Sequence, residues 1–400
     1  MHHEHPRPVD NPLAFELSQR ARARAASRGG RASGLAIGAA LAGAALLGGV
    51  AGGTTHALLS ERPSQVQVAE QSTTGDPAAA VGSLASVAQS VKESVVTISV
   101  VSSSGSGTGS GVVVAEGGYI VTNHHVVSLD GRSEGVRVAV TTSDGRILEA
   151  ELVGSDPLAD LAVLRVQENL PVLPFASKTP ATGDSAVAVG APLGLSNTVT
   201  EGIVSATDRG LLIGSTQQED SPYKFWSERG TQEPAQSVAI PVLQTDAPIN
   251  PGNSGGALVD GDGHLLGINV AIASTGSESG TGGSIGIGFA IDGELVQRVV
   301  TEIIETGEAT HGLLGATIVT QTDVSVGVVG ATVRELSDGG AAASADLRPG
   351  DVITAVDGRP VTNATDLTAF IRAAAGGDTV ELSMLREGQS AEVRVTLGTM

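Results

Sequence analysis

Short apolar segments recur along the middle of the chain, from Ser86 to Ile291, with turn residues between them. Runs such as "VTISV" and "VVVAEGGYIV" are rich in β-branched residues, which favour strands. Short strands at close spacing indicate an all-β barrel or sandwich. The pattern predicts strands over 95–101, 111–115, 119–122, 136–141, 148–153, 161–166, 185–189, 198–206, 238–244, 256–260, 264–272 and 286–291.

Three stretches between these strands are predicted to be loops. Residues 102–110 and 273–285 are rich in Gly and Ser, so they are expected to be mobile. Residues 211–237 hold the only Trp together with Tyr223 and Phe225, and they are predicted to form an inserted surface loop.

A helical period interrupts the strand pattern after Ile291. Asp292 is a suitable N-cap for a helix whose apolar residues recur at helical spacing until Gly307 ends it. Beyond that helix, residues 311–400 form a second β-rich unit with one predicted helix at 364–374.

The first 84 residues have a different composition. Residues 1–33 carry six Arg against three acidic residues, and 34–53 ("GLAIGAALAGAALLGGVAGG") contain no charge. Twenty uncharged residues are long enough to cross a bilayer, and arginines before such a span stay in the cytoplasm. A cleaved signal peptide is the alternative, because the span is rich in Gly and Ala. We predict a cytoplasmic basic tail at 1–33, a transmembrane helix at 34–53, a flexible linker at 54–84 and an extracytoplasmic body.

Charge and composition exclude several classes of function. The formal net charge is −20, and the chain beyond residue 33 is more acidic still, so a nucleic-acid partner is not expected. The chain has no Cys, which excludes a thiol nucleophile, disulfides and cysteine zinc sites. No metal or organic cofactor is expected.

The pentapeptide "GNSGG" at 252–256 makes Ser254 a candidate nucleophile. It also fits the G-x-S-x-G elbow of α/β-hydrolases, whose triad runs Ser, acid, His along the chain. Only His264 and His311 follow Ser254, and the βαβ alternation of that fold is missing, so an esterase of that kind is excluded.

The reverse order, His, Asp, Ser, is present upstream. The blocks are "YIVTNHHVV", "DPLADLAVLRV" and "QTDAPINPGNSGGALVD". In this order and at these spacings they resemble the HtrA/Deg family of chymotrypsin-fold serine proteases. "TVTEGIVSATDRG" and "GIGFAI" also match strands of that family, and the resemblance covers roughly residues 85–400.

The resemblance assigns the triad by position in these blocks. His125 precedes Val-Val and matches the family histidine, Asp160 matches the acid, and Ser254 is the nucleophile. His124 and His125 are expected to point to opposite sides of a strand end, which leaves His124 as a solvated or hydrogen-bonded neighbour. Asp156 and Asp246 are interpreted as structural carboxylates.

Ser254 needs further groups for catalysis. The backbone N–H groups of Gly252 and Ser254 are predicted to form the oxyanion hole. Asn253 replaces the aspartate with which trypsin-like enzymes bind a newly cleaved amino terminus, so activation by clipping is not expected. Pro248 stands where those enzymes carry the acid that binds Lys or Arg. An apolar, shallow substrate pocket is therefore predicted, walled by Gly286, Ile287, Gly288 and Phe289 and suited to Val, Ala, Ile or Leu.

The C-terminal unit resembles a PDZ domain through "HGLLGATIV" and "DLRPGDVITAVDGRPV". In that family a backbone loop holds the carboxylate of a peptide C-terminus, and the next strand pairs with the peptide. The positions implied for peptide binding are Leu313, Leu314, Gly315, Ala316, Leu367 and Phe370. Asp346 stands where a glycine is common, so a local difference in that turn is expected.

The resemblance implies a mainly β fold with two six-stranded barrels of chymotrypsin type over 85–307 and an α+β PDZ domain over 308–400. The predicted function is a membrane-tethered, extracytoplasmic serine endopeptidase that cuts unfolded or exposed polypeptide, with peptide C-termini bound at the PDZ groove. A mainly non-proteolytic chaperone or scaffold of the same fold is the alternative. Homotrimers are implied by the resemblance alone.

Overall fold

The computed structural model of the chain describes residues 83–102, 105–128, 137–191, 198–214, 237–270 and 286–400. The predicted tail, the predicted span and nearly all of the predicted linker lie outside the described residues, as do loop 273–285 and most of loop 211–237. In the part of the chain that is described, no helix is long and apolar enough to cross a membrane.

The first barrel is closed by six antiparallel strands in the order β1-β2-β3-β6-β5-β4. Valine, isoleucine and leucine side chains from all six strands fill its interior and the layer outside it, as the apolar runs predict. The strands are β1 (Val95–Ser102), β2 (Gly105–Ala115), β3 (Tyr119–Thr122), β4 (Arg137–Thr141), β5 (Ile147–Asp156) and β6 (Leu161–Arg165).

Strand β2 starts six residues earlier than predicted, so the prediction of a loop over 102–110 is wrong from Gly105 onward. Glycine has little intrinsic preference for strands, so this strand forms because neighbouring side chains pack closely against its backbone. A Cβ on Gly109 would lie 2.8 Å from Val126, and one on Gly111 would lie 2.7 Å from both Ile98 and Ile120. The bare backbone lets neighbouring elements approach this strand.

Two short helices that pack beside the barrels were not predicted. Helix α1 (Leu84–Val91) lies where the linker was expected to end, and it buries Val87 and Val91. Helix α2 (His124–Ser128) begins directly after β3, so the two histidines lie on a helical turn and not on a strand end.

The second barrel is also closed by six antiparallel strands, in the order β10-β11-β12-β9-β8-β7. Strands β8 and β9 extend beyond their predicted ends and pair along a long ribbon from Val204 to Gly214. The strands are β7 (Ser185–Gly190), β8 (Thr198–Gly214), β9 (Ser237–Thr245), β10 (Ala257–Val259), β11 (Leu265–Val270) and β12 (Gly288–Asp292).

Helix α3 (Gly293–Thr306) confirms the prediction made from its helical period. The Asp292 side chain accepts a hydrogen bond from the N–H of Glu294, and the helix ends at Gly307 with φ +89°. The apolar face of the helix packs on the barrels.

The C-terminal domain is a sheet with β14 at one edge, in the order β14-β15-β16-β18-β19, with β17 paired to β16. Asp346 adopts φ +58°, so an aspartate takes the left-handed conformation that a glycine would otherwise supply. The elements are β13 (Gly312–Leu313), β14 (Ala316–Thr320), β15 (Ala331–Leu336), α4 (Ala341–Ser344), β16 (Val352–Val356), β17 (Arg359–Pro360), α5 (Ala364–Ala373), β18 (Thr379–Arg386), β19 (Gln389–Thr396) and β20 (Gly398–Thr399).

Polar contacts join the C-terminal domain to the second barrel. The Arg359 guanidinium lies 2.7 Å from a carboxylate oxygen of Asp208 and 3.3 Å from one of Asp292. The N–H of Gly210 donates to the carboxylate of Asp366 at 2.9 Å. These contacts involve buried or half-buried groups, so the domain is docked by specific partners.

Candidate active site

His125 and Asp160 are brought together where β3 and β6 lie side by side. The Nδ1 of His125 lies 2.9 Å from Oδ2 and 3.1 Å from Oδ1 of Asp160, and the His125 main-chain N–H donates to Oδ1 at 3.0 Å. Asp160 is 6% exposed and has φ +52°. Its carbonyl oxygen accepts from the His124 N–H and from the Asn123 side chain, both at 3.1 Å, which holds this conformation.

His124, which was expected to be a solvated or hydrogen-bonded neighbour, is half-buried. Its Nδ1 is buried and has no hydrogen-bond partner among the described residues. Burial lowers the pKa of His124 below its usual value, and nearby Asp160 only partly opposes this effect. His124 is therefore a neutral, packed side chain beside the His125–Asp160 pair.

Ser254 lies against β2 and next to helix α2. Its carbonyl oxygen accepts from the N–H of Ser110 at 2.8 Å, and the Ser110 hydroxyl donates to the carbonyl of Gly252 at 2.7 Å. A Cβ on Gly109 would touch both Val126 and the Ser254 carbonyl oxygen. Ser254 and the helical turn that carries His125 therefore both pack against strand β2. Sequence reasoning missed Ser110, because it lies in a stretch interpreted as a loop.

The residues before Ser254 form a tight turn. The N–H of Asn253 donates to the carbonyl of Asn250 at 3.0 Å, and Gly252 has φ +98°. A left-handed residue at the third position is the feature of a type II turn, and it orients the Gly252 peptide differently from a type I turn. Asn253 is 1% exposed and packs against Gly190, where a Cβ would lie 2.5 Å from its Oδ1.

The predicted pocket wall lies on strand β12 and on the two residues before it. Gly286 and Ile287 are exposed, Gly288 begins the strand, and Phe289 is half-buried. Ile249 was not predicted, yet it lies directly opposite, 2.9 Å from where a Cβ of Gly288 would be. Its neighbour Pro248 accepts a hydrogen bond from the Thr200 hydroxyl at 2.8 Å.

Three of the residues predicted for peptide binding, Leu313, Gly315 and Ala316, lie just before or at the start of strand β14. Leu313 is 45% exposed, Gly315 has φ +69°, and Ala316 begins the edge strand β14. The other three predicted side chains, Leu314, Leu367 and Phe370, are buried in the domain core. The Arg359 guanidinium covers one face of the Phe370 ring, 4.3 Å from the ring centre.

Comparisons with known families agree with two functional units. Residues 109–268 match the family described as trypsin-like peptidase domain, and residues 312–397 match the family described as PDZ domain.

Individual relatives are similar over most of this chain. Serine protease PepD of Mycobacterium tuberculosis is 39% identical over 348 residues, which cover 84% of this chain and 71% of that relative. The periplasmic pH-dependent serine endoprotease DegQ of Escherichia coli is 36% identical, and the match spans 73% of this chain but only 60% of DegQ. The solved structure of the HtrA-type protease AlgW with a tripeptide is 35% identical with a TM-score of 0.56, over 80% of this chain and 97% of that one.

Proposed function

The chain belongs to the HtrA family of serine endopeptidases, and we propose that His125, Asp160 and Ser254 form its catalytic triad for cutting unfolded or exposed polypeptide. The contact of His125 Nδ1 with the buried Asp160 carboxylate is the observation that carries this proposal. A carboxylate can only accept, so the proton of the neutral ring lies on Nδ1 and Nε2 is the basic nitrogen.

In the proposed reaction the Ser254 oxygen attacks the carbonyl carbon of the scissile peptide bond while His125 Nε2 takes its proton. Asp160 stabilises the imidazolium that results. The protonated ring then donates to the leaving amine, which leaves an acyl ester on Ser254. Water attacks this ester, again with His125 as base, and releases the acid and the serine hydroxyl.

The oxyanion of the tetrahedral intermediate would be held by the N–H groups of Gly252 and Ser254. The turn at Gly252 supports this proposal, because its φ of +98° is accessible mainly to glycine. Removing one such donor typically lowers kcat by about 100- to 1000-fold.

Catalysis is tested by three variants of the full-length chain. Ser254→Ala and His125→Ala are expected to abolish casein hydrolysis and labelling by a fluorophosphonate. His124→Ala is the matched control, because it removes the adjacent imidazole, and it is expected to keep most of the activity. Loss of activity in His124→Ala with His125→Ala active would overturn the assignment.

The C-terminal domain is proposed to bind peptide C-termini and to regulate cleavage. Two features support this: the exposed side chain of Leu313 just before the left-handed turn at Gly315, and β14, whose outer edge pairs with no other described strand. Solved relatives include AlgW with a tripeptide and with a decapeptide.

Peptides that end in an apolar residue with a free carboxylate are therefore expected to raise hydrolysis of a chromogenic substrate. An allosteric ligand of this kind typically changes activity by about 5- to 150-fold. Amidated versions of the same peptides are the control, and equal stimulation by them would overturn this role.

Residues 34–53 are proposed to tether an extracytoplasmic protease to the membrane. The uncharged span and its preceding arginines support the tether. Relatives named as periplasmic proteases support an extracytoplasmic body.

A further inference from the structure

Ser110 is a buried residue of strand β2 whose main chain and side chain both bond the segment that carries Ser254. Its N–H donates to the carbonyl oxygen of Ser254 at 2.8 Å, and its hydroxyl donates to the carbonyl oxygen of Gly252 at 2.7 Å. The exposed fraction of Ser110 is 0%. One residue therefore binds both of the residues whose N–H groups are proposed to hold the oxyanion.

The direction of the Ser110 hydroxyl is fixed, because the same oxygen also accepts a hydrogen bond. The N–H of Ala191, the residue after β7, donates to it at 2.8 Å. A hydroxyl has one proton to donate, and here that proton points to Gly252. The hydroxyl of a first-barrel strand is therefore held between two segments of the second barrel, and rotating it would leave buried polar groups without partners.

Both bonds from Ser110 to the Ser254 segment end on carbonyl oxygens. In any residue the N–H lies on the peptide before the α-carbon and the carbonyl lies on the peptide after it. Ser110 therefore fixes Gly252 and Ser254 relative to each other without using either of the N–H groups proposed for the oxyanion hole.

Gly252 needs such a contact from outside its own turn. Its φ is +98°, and glycine adopts positive and negative φ about equally readily. The bond from the Asn253 N–H to the Asn250 carbonyl closes type I and type II turns alike, so it does not fix the turn by itself. The Ser110 hydroxyl attaches the Gly252 carbonyl to strand β2, and with it the α-carbon next to the proposed donor.

The carbonyl of Ser110 contacts the strand that leads to the base. It accepts from the Thr122 hydroxyl at 2.7 Å, and Thr122 is the last residue of β3, three positions before His125. The main chain of Ser110 thus connects the Ser254 segment to the support of His125, whatever side chain position 110 carries. The hydroxyl adds only the bonds to Gly252 and Ala191, so a side-chain substitution removes these two bonds selectively.

We propose that Ser110 is a positioning residue for the oxyanion hole, with its hydroxyl holding Gly252 where the N–H of that residue converges with the N–H of Ser254. This inference rests on the proposed roles of Gly252 and Ser254. The benefit appears when negative charge develops on the substrate oxygen, so the hydroxyl favours the transition state and contributes little to substrate binding.

Ser110→Ala in the full-length chain tests the kinetic consequence. It removes the hydroxyl and keeps the main-chain bond to Ser254. We expect kcat for a peptide substrate to fall by about 10- to 100-fold, less than the loss of about 100- to 1000-fold that is typical when a donor is removed outright. KM should change little, because an interaction made only in the transition state lowers kcat and kcat/KM equally.

A pair of inhibitors reports on the oxyanion hole without turnover. In a peptidyl trifluoromethyl ketone the carbonyl carbon bonds to the Ser254 oxygen, the serine proton passes to His125, and the carbonyl oxygen becomes an oxyanion. The corresponding alcohol has the same peptide but no carbonyl to attack. The ratio of dissociation constants, alcohol to ketone, therefore measures oxyanion stabilisation, and it should fall in Ser110→Ala by about the same factor as kcat.

Thr97→Val is the matched control. The Thr97 hydroxyl is also buried, and it donates to the carbonyl of Ala191 at 2.6 Å. The substitution removes a bond to the same neighbour and leaves the bond to Gly252 in place. It is expected to lower the free energy of unfolding and to keep the wild-type kcat and inhibitor ratio. A ratio that falls as far in Thr97→Val as in Ser110→Ala would overturn the inference.

Ser110→Cys answers the same question if Ser110→Ala does not fold. A thiol is a weaker donor than a hydroxyl, so the inhibitor ratio is expected to fall below that of the wild type. A wild-type ratio in the folded variant would contradict the proposal. If neither variant folded, Ser110 would be a residue of the fold and not of the site, which would contradict it as well.

Failure of the proposed triad would give a different result. Ser254→Ala would then retain activity, and the ketone would bind the wild-type chain no more tightly than the alcohol does. A wild-type chain that prefers the ketone, together with an unchanged ratio in Ser110→Ala, would overturn the role of Ser110 alone.

Discussion

His125 contacts the carboxylate of Asp160 twice, once through its main-chain N–H at 3.0 Å and once through ring Nδ1 at 2.9 Å. The first contact fixes the helical turn relative to the acid, and the second fixes the rotation of the ring on that turn. Since both bonds end on one buried carboxylate, the position of Asp160 determines the position of the base.

Asp160→Asn should therefore disable catalysis without unfolding the protein. The asparagine NH₂ can donate to Nδ1 of His125, so the proton of the neutral ring then lies on Nε2. With Nε2 protonated, the ring cannot accept the proton of Ser254. A loss of about 10⁴-fold in kcat is expected. Peptide hydrolysis and thermal unfolding check this, and a variant that retains a tenth of the activity would contradict it.

His124 should make the fold sensitive to acid. Burial lowers its pKa in the folded state, so the unfolded chain binds a proton more readily as pH falls below about 6.5. Stability from this residue is complete above that pH and is lost as pH decreases toward the lowered value. Urea unfolding measures this as the fall in unfolding free energy with decreasing pH. In His124→Gln that fall should be smaller, by up to about 1.4 kcal/mol per pH unit. Exposed His264→Gln is the control, and an equal change there would argue against the assignment.

Gly255 should tolerate no side chain. Its φ is +79°, and a Cβ would lie 2.2 Å from the Ser110 carbonyl oxygen and 2.3 Å from the Thr122 hydroxyl. Gly145 has φ +86° with nothing within 4 Å, so Gly145→Ala measures the backbone cost alone. We expect a loss of about 1 kcal/mol for Gly145→Ala and about 3 kcal/mol or more for Gly255→Ala in unfolding free energy. Equal losses would show that the close contact is not limiting.

Ile249 should limit the size of the side chain accepted by the proposed pocket. Ile249→Ala removes atoms opposite Gly288, so preference should move from Val toward Leu or Phe by about tenfold in the ratio of kcat/KM. Ile268→Ala empties a core position in the same barrel and should lower stability without changing the ratio. An unchanged ratio in Ile249→Ala would place the pocket elsewhere.

The proposed tether has its own test. The full-length chain should remain with membranes after a carbonate wash, and protease added outside the membrane should digest the chain beyond about residue 54. Arg20, Arg22, Arg24, Arg28 and Arg31 precede the span and should keep the tail inside. Recovery of a soluble body with a new N-terminus near residue 53 would favour a cleaved signal peptide.

Strands built from β-branched runs could be predicted, because their preference is local. β6 and β3 begin at their predicted residues, and α3 has its predicted cap and end. The start of β2 could not be predicted, since its glycines are in a strand only because Val126, Ile98 and Ile120 press against it.

The residues of the proposed triad could be predicted from the sequence, but several of the contacts that support them could not. The blocks around His125, Asp160 and Ser254 identify the residues that the structure brings to one region. The helical turn at His124 was missed, because a helix of five residues is too short to show a helical period, although Asn123 before it is a suitable N-cap. The roles of Ser110 and Ile249 depend on contacts between distant segments, which no local pattern records.

The bare strand β2 has a consequence for the order of folding. Glycine pays a large entropic penalty on ordering, and the segment Gly105–Gly111 offers few side chains of its own to offset it. It should become ordered only after its neighbours have formed, and the support of Ser254 would then be completed late. A refolding chain is expected to regain its strand signal in circular dichroism before it regains fluorophosphonate labelling. A newly synthesised molecule would thus be unable to cleave incompletely folded copies of the same protein until its own barrels had closed.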